Sequence, residues 1–237
     1  MIEVAEAQAR IYPALAPMVA EWVPLADALG RVLARDVQAR RDQPPGAVSA
    51  MDGYAVRSAD VGGTMRVVGE IAAGAACDLS LKQGEAARIF TGGLVPEGAD
   101  AILIQENAER EGDTIRATSP VAAGAFVRPR GLDFRAGHVG LTAGRVLDAR
   151  ALGLAAIMGH GHLEVRARPR VAVLATGDEL RWPGETPLQH QITSSNSVVL
   201  CGMLRAWGRS RWISGLPPTS AVRCRRRFRT HVLPICW

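Results

Sequence analysis

With 237 residues, 48% of them apolar, the chain is long enough to bury a core and divide into more than one domain, which excludes extended disorder. Its net charge of +5 is concentrated at one end: seven of the 28 basic residues and none of the 23 acids follow Gly208, so the body carries −2 and no nucleic-acid footprint. No apolar run reaches the ~18 residues that span a bilayer, the acidic opening Met1-Ile-Glu-Val-Ala-Glu is no secretory leader, and Cys77, Cys201, Cys224 and Cys236 have no metal-ligand spacing, so a soluble cytoplasmic protein without membrane contact is expected.

In chain order, Leu25, Leu29, Val32 and Leu33 share one face at helical spacing behind Pro24, which predicts a short amphipathic helix. Arg40-Arg41-Asp42-Gln43-Pro44-Pro45-Gly46 breaks regular structure and predicts a domain crossing. From Ser49 to Val139, short apolar runs alternate with glycine-bearing turns: Arg66 to Val68, Ala87 to Phe90, Ala101 to Ile104 and Ala125 to Val127. These predict a β-rich domain, a compact barrel or sandwich. A second helix is predicted from its N-cap Asp148 through Ala151, Leu152, Ala155 and Met158 to Gly159. His160-Gly161-His162 reads as an exposed connector.

A strand at Leu163 to Val165 then leads to Val171-Ala172-Val173-Leu174-Ala175, an apolar run of the type buried on both faces in parallel sheets. After the polar loop Thr176 to Ser195, a helix is predicted with Val199, Leu200, Met203, Leu204 and Trp207 on one face, capped by Asn196 or Ser197 and ended by Gly208. Strand, loop and helix open an α/β unit, and no second parallel strand is expected after it. The fold class is thus multidomain α+β. Residues 1–42 with 140–168 form an elongated helical domain, 43–139 an inserted β-rich, barrel-like domain, 169–208 the truncated start of an α/β domain, and 209–237 an aberrant basic tail without a fold, as an out-of-register translation would give.

Taken singly, the polar motifs have plain readings. Asp52-Gly53 between apolar residues reads as a hairpin turn, Thr91-Gly92-Gly93 as a strand end and turn, and Asp178-Glu179 as a solvated loop, although acids beyond the carboxyl end of a buried parallel strand stand where α/β folds bind ligands.

In combination they resemble a known family. Ser49-Ala50-Met51-Asp52-Gly53-Tyr54-Ala55-Val56-Arg57, then Ile89-Phe90-Thr91-Gly92-Gly93 with Pro96-Glu97-Gly98-Ala99-Asp100-Ala101 and Gln105-Glu106, then Arg128-Pro129-Arg130-Gly131-Leu132-Asp133, and finally Val171 to Leu180 with Ile192 and Ser195-Asn196-Ser197, are similar in order and spacing to the molybdopterin molybdenumtransferases, which include bacterial MoeA proteins and the catalytic part of gephyrin. The resemblance runs from about residue 1 to 208 and makes the third domain molybdopterin-binding-like. It implies a reaction in which molybdate, with Mg2+, meets adenylylated molybdopterin; AMP is released and molybdenum enters the dithiolene. It also implies a homodimer with sites across the interface and a molybdopterin adenylyltransferase as upstream partner. Such chemistry needs hard oxygen ligands, donors for anionic oxygens and an activated water or oxyanion. Asp52, Thr91, Asp133 and Glu179 are the catalytic candidates, with Asp52 and Glu179 as metal ligands. Gly92 and Gly93 are expected to offer amides to an anion, Arg128 and Arg130 guanidinium forks to phosphate, and Asp178 and Asn196 further contacts to the cofactor. The family continues beyond Gly208 with more βα units and a small β domain, so this chain reads as a truncated member whose turnover is in question, the alternative being a remnant that at most dimerises or binds ligand.

Overall fold

The computed structural model describes residues 2–207 and 210–214; Gly208, expected to end the last helix, and the remainder of the expected basic tail, 209 and 215–237, lie outside the described residues. The chain falls into two compact units that interleave in sequence, one built from 24–29 with 35–163, the other from the described parts of 1–23, 30–34 and 164 onward. The break at 41–46 is therefore not a boundary between these units.

The larger unit is organised on a six-stranded mixed sheet. Its strands stand in the order Ala101–Ile104, Gly53–Val56, Glu85–Ile89, Thr64–Ile71, Thr114–Ala117, Ala108–Glu111, all neighbours being antiparallel except Thr64–Ile71 against Glu85–Ile89. The order has two ends, so the sheet is open and not a closed barrel. Its strands bury alternate residues on opposite faces: Tyr54, Val56, Ala86, Leu103 and Ile115 join one apolar cluster, while Ala55, Ala87, Ile89 and Ile102 join another. Burial on both faces explains why these strands read as apolar runs without polar alternation. The hairpin of the last two strands turns at Gly112, φ +58. Val67 and Val68 lie within Thr64–Ile71, whereas of Ala125 to Val127 only Val127 is in a strand.

Helix is scarce in the segments that flank this sheet. Leu25 to Leu33 forms a single 3-10 turn, Leu25–Asp27, and no amphipathic helix. Gly30 takes φ +70, Leu29 is 57% exposed, and Leu33 makes a β-bridge to Val165, so non-local pairing overrides the helical spacing. The flanking segments meet as strands: Val37–Gln38 pairs with Val139–Leu141, and Ala20–Pro24 with His162–Arg166. Helix Ala149–Ile157 forms where its cap predicts, Asp148 Oδ1 accepting from the Ala151 amide at 2.7 Å, and it ends at Gly159 with φ +94. His160 of the connector bonds through Nε2 to the Gln38 carbonyl at 2.7 Å.

In the smaller unit, helix Val4–Ile11, rich in good helix formers, buries none of its residues. Arg31 is buried beside Glu21 and donates to the Arg166 carbonyl at 2.8 Å. Strand Arg170–Leu174 is paired in parallel with Ser210–Ser214. This corrects the expectation that no second parallel strand follows: the backbone around Trp212 and Ile213 meets the demand of an unpaired strand for a partner. Of the first strand's described side chains only Val173 is buried. The intervening helix spans Asn196–Ala206 and starts at Ser195 without a side-chain cap. It buries Ser197 and Cys201, and leaves Val199, Leu200, Met203 and Trp207 between 44% and 63% exposed, so the apolar face read from the sequence is not the buried one. No described helix is long and apolar enough to cross a membrane.

Candidate functional site

Asp52 immediately precedes Gly53–Val56, a strand flanked by Glu85–Ile89 and Ala101–Ile104, so its position is set from both sides by the registers Gly53 to Ile89 and Gly53 to Ile104. Gly53 is no turn glycine. Its φ is not positive, and a Cβ there would stand 2.1 Å from the Leu103 carbonyl oxygen. The glycine is required by the close approach of the neighbouring strand, which corrects the hairpin reading of Asp52-Gly53.

Two residues beyond Ile89, Thr91 reaches the same end of the sheet and donates both its amide and its Oγ1 to Asp52 Oδ1, each at 2.7 Å. The Thr91 amide, then its hydroxyl, hold the Asp52 carboxyl below the usual carboxylate range against the opposing effect of burial, with the charge of Arg88 as the last contribution. Asp52 is therefore an anion at neutral pH, and its Oδ2 has no hydrogen-bond partner among the described residues. Arg88, which no sequence motif marks, donates to the Gly53 carbonyl at 3.1 Å and to Gln105 Oε1 at 2.8 Å, with its guanidinium 5.2 Å from the Tyr54 ring and 4.8 Å from the Phe90 ring.

The glycines after Thr91 are committed to structure. The Gly92 amide donates to the Ser49 carbonyl and that of Gly93 to the Phe90 carbonyl, both at 2.8 Å. Neither of the two glycine amides expected to cradle an anion is therefore available for it, and the Thr91 amide is likewise held, by Asp52. Gly92 takes φ +84, and a Cβ on Gly93 would meet the Phe90 oxygen at 2.9 Å, so both glycines serve the tight turn.

Strand Val48–Ser49 links this turn to the arginine motif. The Ser49 amide donates to the Gly93 carbonyl, while the same two-residue strand pairs with Val127–Arg128. Arg128 Nη2 donates to Asp133 Oδ1 at 3.2 Å. Arg130 Nε donates to Asp42 Oδ2 at 2.5 Å, and Asp42 Oδ1 accepts from the Ala136 amide at 2.8 Å. Asp42 lies below the usual carboxylate range, held there by the Ala136 amide, the Arg130 bond, and the charges of Arg130 and Arg135. Asp52, Thr91, Gly92, Gly93, Arg128, Arg130 and Asp133 are thus gathered in one hydrogen-bonded region of the larger unit.

Glu179, Asp178 and Asn196 belong to the smaller unit. Beyond Leu174 lies a pocket of about 340 Å³, lined by Thr176, Thr193, Ser194, Ser195 and Asn196 with an apolar wall that includes Val173, Leu180 and Leu200. It stands at the carboxyl end of a parallel strand and at the N-terminus of helix Asn196–Ala206, where first-turn amides have no intrahelical acceptor. Asn196 lines it; Asp178 and Glu179 do not. Asp178 is exposed, and the Glu179 carboxylate folds back so closely over Gly177 that a Cβ there would stand 2.6 Å from Oε1. The run Ser194-Ser195-Asn196-Ser197 before an apolar helix was the available sign of the hydroxyl-rich wall.

Among the described residues no group of three His, Cys, Asp or Glu side chains gathers to hold a metal ion. The donor set does not by itself fit Mg2+, an ion that takes near-octahedral oxygen coordination.

Residues 2–159 match the family described as the MoeA N-terminal region, domain I and II. Molybdopterin molybdenumtransferase 2 of Mycobacterium tuberculosis is 41% identical over 194 residues, 78% of this chain and 48% of the relative; the molybdopterin molybdenumtransferase of Nostoc is 36% identical over 195 residues, 79% and 45%. The crystal structure of a molybdopterin biosynthesis MoeA protein from Pyrococcus horikoshii is similar with a TM-score of 0.85 and 29% identity, over 95% of this chain and 62% of that one. The chain spans about half the length of the curated relatives it matches.

Proposed function

The chain belongs to the MoeA family of molybdopterin molybdenumtransferases, and from that premise we propose that it inserts molybdenum from molybdate into adenylylated molybdopterin, with release of AMP, in molybdenum cofactor biosynthesis. The observation that carries the reading is the Asp52 carboxylate, pinned through one oxygen by Thr91 with its other oxygen unpartnered among the described residues. With one oxygen tied to Thr91 and the other without a partner among the described residues, Asp52 serves as a charged acceptor that orients a donor group of the substrate. Thr91, having given both donors to Asp52, offers the substrate only lone pairs. Donors for the phosphate oxygens then come from Arg128 and Arg130, as guanidinium forks. Asp133 orients Arg128; the smaller unit by itself offers a ligand the hydroxyls around Asn196 and the exposed Glu179 carboxylate. The protein would act in the cytoplasm as a homodimer with its sites at the subunit interface, receiving its substrate from a molybdopterin adenylyltransferase.

The test is to give purified chain adenylylated molybdopterin and molybdate and to measure bound ligand, AMP released and molybdenum incorporated. AMP release that disappears in Asp52→Ala while the protein stays folded is the expected result. Failure to bind the adenylylated pterin, or turnover unchanged in Asp52→Ala, would overturn it. Because the chain spans about half of its relatives, a second reading is binding or dimerisation without turnover, which the same assay reports as bound substrate with no AMP.

A further inference from the structure

Asp42 lies outside the motifs that carry the family resemblance, yet it organises the arginine loop. Its Oδ1 takes the Ala136 amide, its Oδ2 takes Arg130, and its neighbours strap the loop through main chain: Gln43 donates to the Phe134 carbonyl, Asp133 to the Gln43 carbonyl and Gly131 to the Pro44 carbonyl, each at 2.9 Å. The Asp42 side chain is only 15% exposed, whereas Arg130 is 70% exposed.

Which nitrogen Asp42 takes decides the matter. A guanidinium has five N–H donors, one on Nε and four on the two Nη atoms, and phosphate is recognised by pairs of them. Arg128 spends an Nη on Asp133. Arg130 spends only Nε, the nitrogen nearest its own backbone, and makes no Nη bond among the described residues. Its terminal fork is anchored from behind and presented to solvent.

We propose that Asp42 is a positioning residue, which by holding Arg130 through Nε presents the two Nη groups to the pyrophosphate linkage of an adenylylated substrate; this rests on the reading of Arg130 given above. A fork held in place loses less freedom when an anion binds than a free arginine does. The opposing effect is that Asp42 offsets the charge of Arg130, but at so exposed an arginine solvent screens that contribution.

Calorimetric titration of the full chain with inorganic pyrophosphate at low salt tests it. Asp42→Asn keeps an oxygen for the Ala136 amide and removes the charge facing Arg130. It should weaken binding by about tenfold, within the range of coupling between contacting residues, and in an Arg130→Ala background it should have no further effect. Tighter binding in Asp42→Asn would mean that Asp42 only offsets charge. Unchanged binding would mean that it only straps the loop. An additive double variant would mean that it acts elsewhere, and each of these three results overturns the inference while leaving Arg130 as the phosphate partner. Should Asp42→Asn fail to fold, Arg130→Lys carries the test, because an ammonium keeps the charge but has neither Nε nor fork; unchanged affinity there overturns the inference. If the wild type does not bind pyrophosphate, or Arg130→Ala leaves binding intact, Arg130 is no phosphate partner and the inference falls with it.

Discussion

Gly53→Ala is the sharpest available test of how the candidate site is built. The added methyl would lie 2.1 Å from the Leu103 carbonyl oxygen, 2.9 Å from Ile104 Cα and 3.0 Å from the Leu103 carbonyl carbon, all main-chain atoms of the adjacent strand. Ordinary carbon contacts lie at about 3.5 to 4.0 Å, so the first contact is short by more than about 1 Å. When side chains can yield, such overpacking costs about 1 to 3 kcal/mol. Here no side chain stands in the way, and relief requires Gly53–Val56 to part from Ala101–Ile104, weakening the ladder at Gly53 to Ile104 and Tyr54 to Leu103 at about 1 kcal/mol for each bond lost. Against this, alanine lowers the entropy of the unfolded chain, a gain of about 0.4 to 1 kcal/mol. The net expectation is a loss of about 3 kcal/mol, read as a lower urea midpoint, with Gly62→Ala as control because Gly62 has open space around its Cβ and no positive φ. If Gly53→Ala comes within about 1 kcal/mol of wild type, the close-approach reading is wrong and the turn reading returns.

The other predictions concern single hydrogen bonds. Asp148→Ala should lower stability by about 1 kcal/mol through loss of the cap on Ala151, measured by thermal melting; no change would show that the cap is not formed. Thr91→Val removes one of the two bonds to Asp52 Oδ1, so the Asp52 titration followed by carboxyl-carbon NMR should move upward toward the ordinary range, and an unmoved midpoint would refute the pairing. Asp100 is held below its usual value of 3.8 first by the Ser58 amide, against burial, and then by the Ser58 hydroxyl and the charge of Arg57. Its depressed folded value means that its contribution is complete above the unfolded-state pKa and is lost as pH falls through the folded one. The difference in urea midpoint between wild type and Asp100→Asn should therefore be constant near neutrality and shrink in the acid range; a difference that grows on acidification would contradict the assignment.

Much of the sheet was legible in the sequence because its strands are apolar on both faces: Ala101 to Ile104 could be read directly, and so could the Asp148 cap, which acts within three residues of itself. The failures share a cause in contacts that sequence spacing does not carry. Leu25, Leu29, Val32 and Leu33 have helical spacing, but the partner of Leu33 is Val165, and pairing over that distance outweighed a weak local preference. Asp52-Gly53 has the composition of a turn, and only the register of Leu103 reveals why the glycine is there. The candidate site divides in the same way. Motifs marked Asp52 and Thr91, which do meet, whereas Arg88 and Asp42 lie outside those motifs, the latter because its arginine lies 88 residues away.

Strand Val48–Ser49 is only two residues long, yet its main chain holds the Thr91 turn on one side and Val127–Arg128 on the other. Because those ties are amides and carbonyls, the side chains at 48 and 49 do not set their strength. The amides of Ser49, Ala50 and Gly92, which donate to the Gly93, Phe126 and Ser49 carbonyls, should therefore exchange with solvent deuterium as one set, released by a single opening event. The region around Asp52 and the arginine loop would then loosen or tighten together, and whatever ligand orders one would slow exchange in the other.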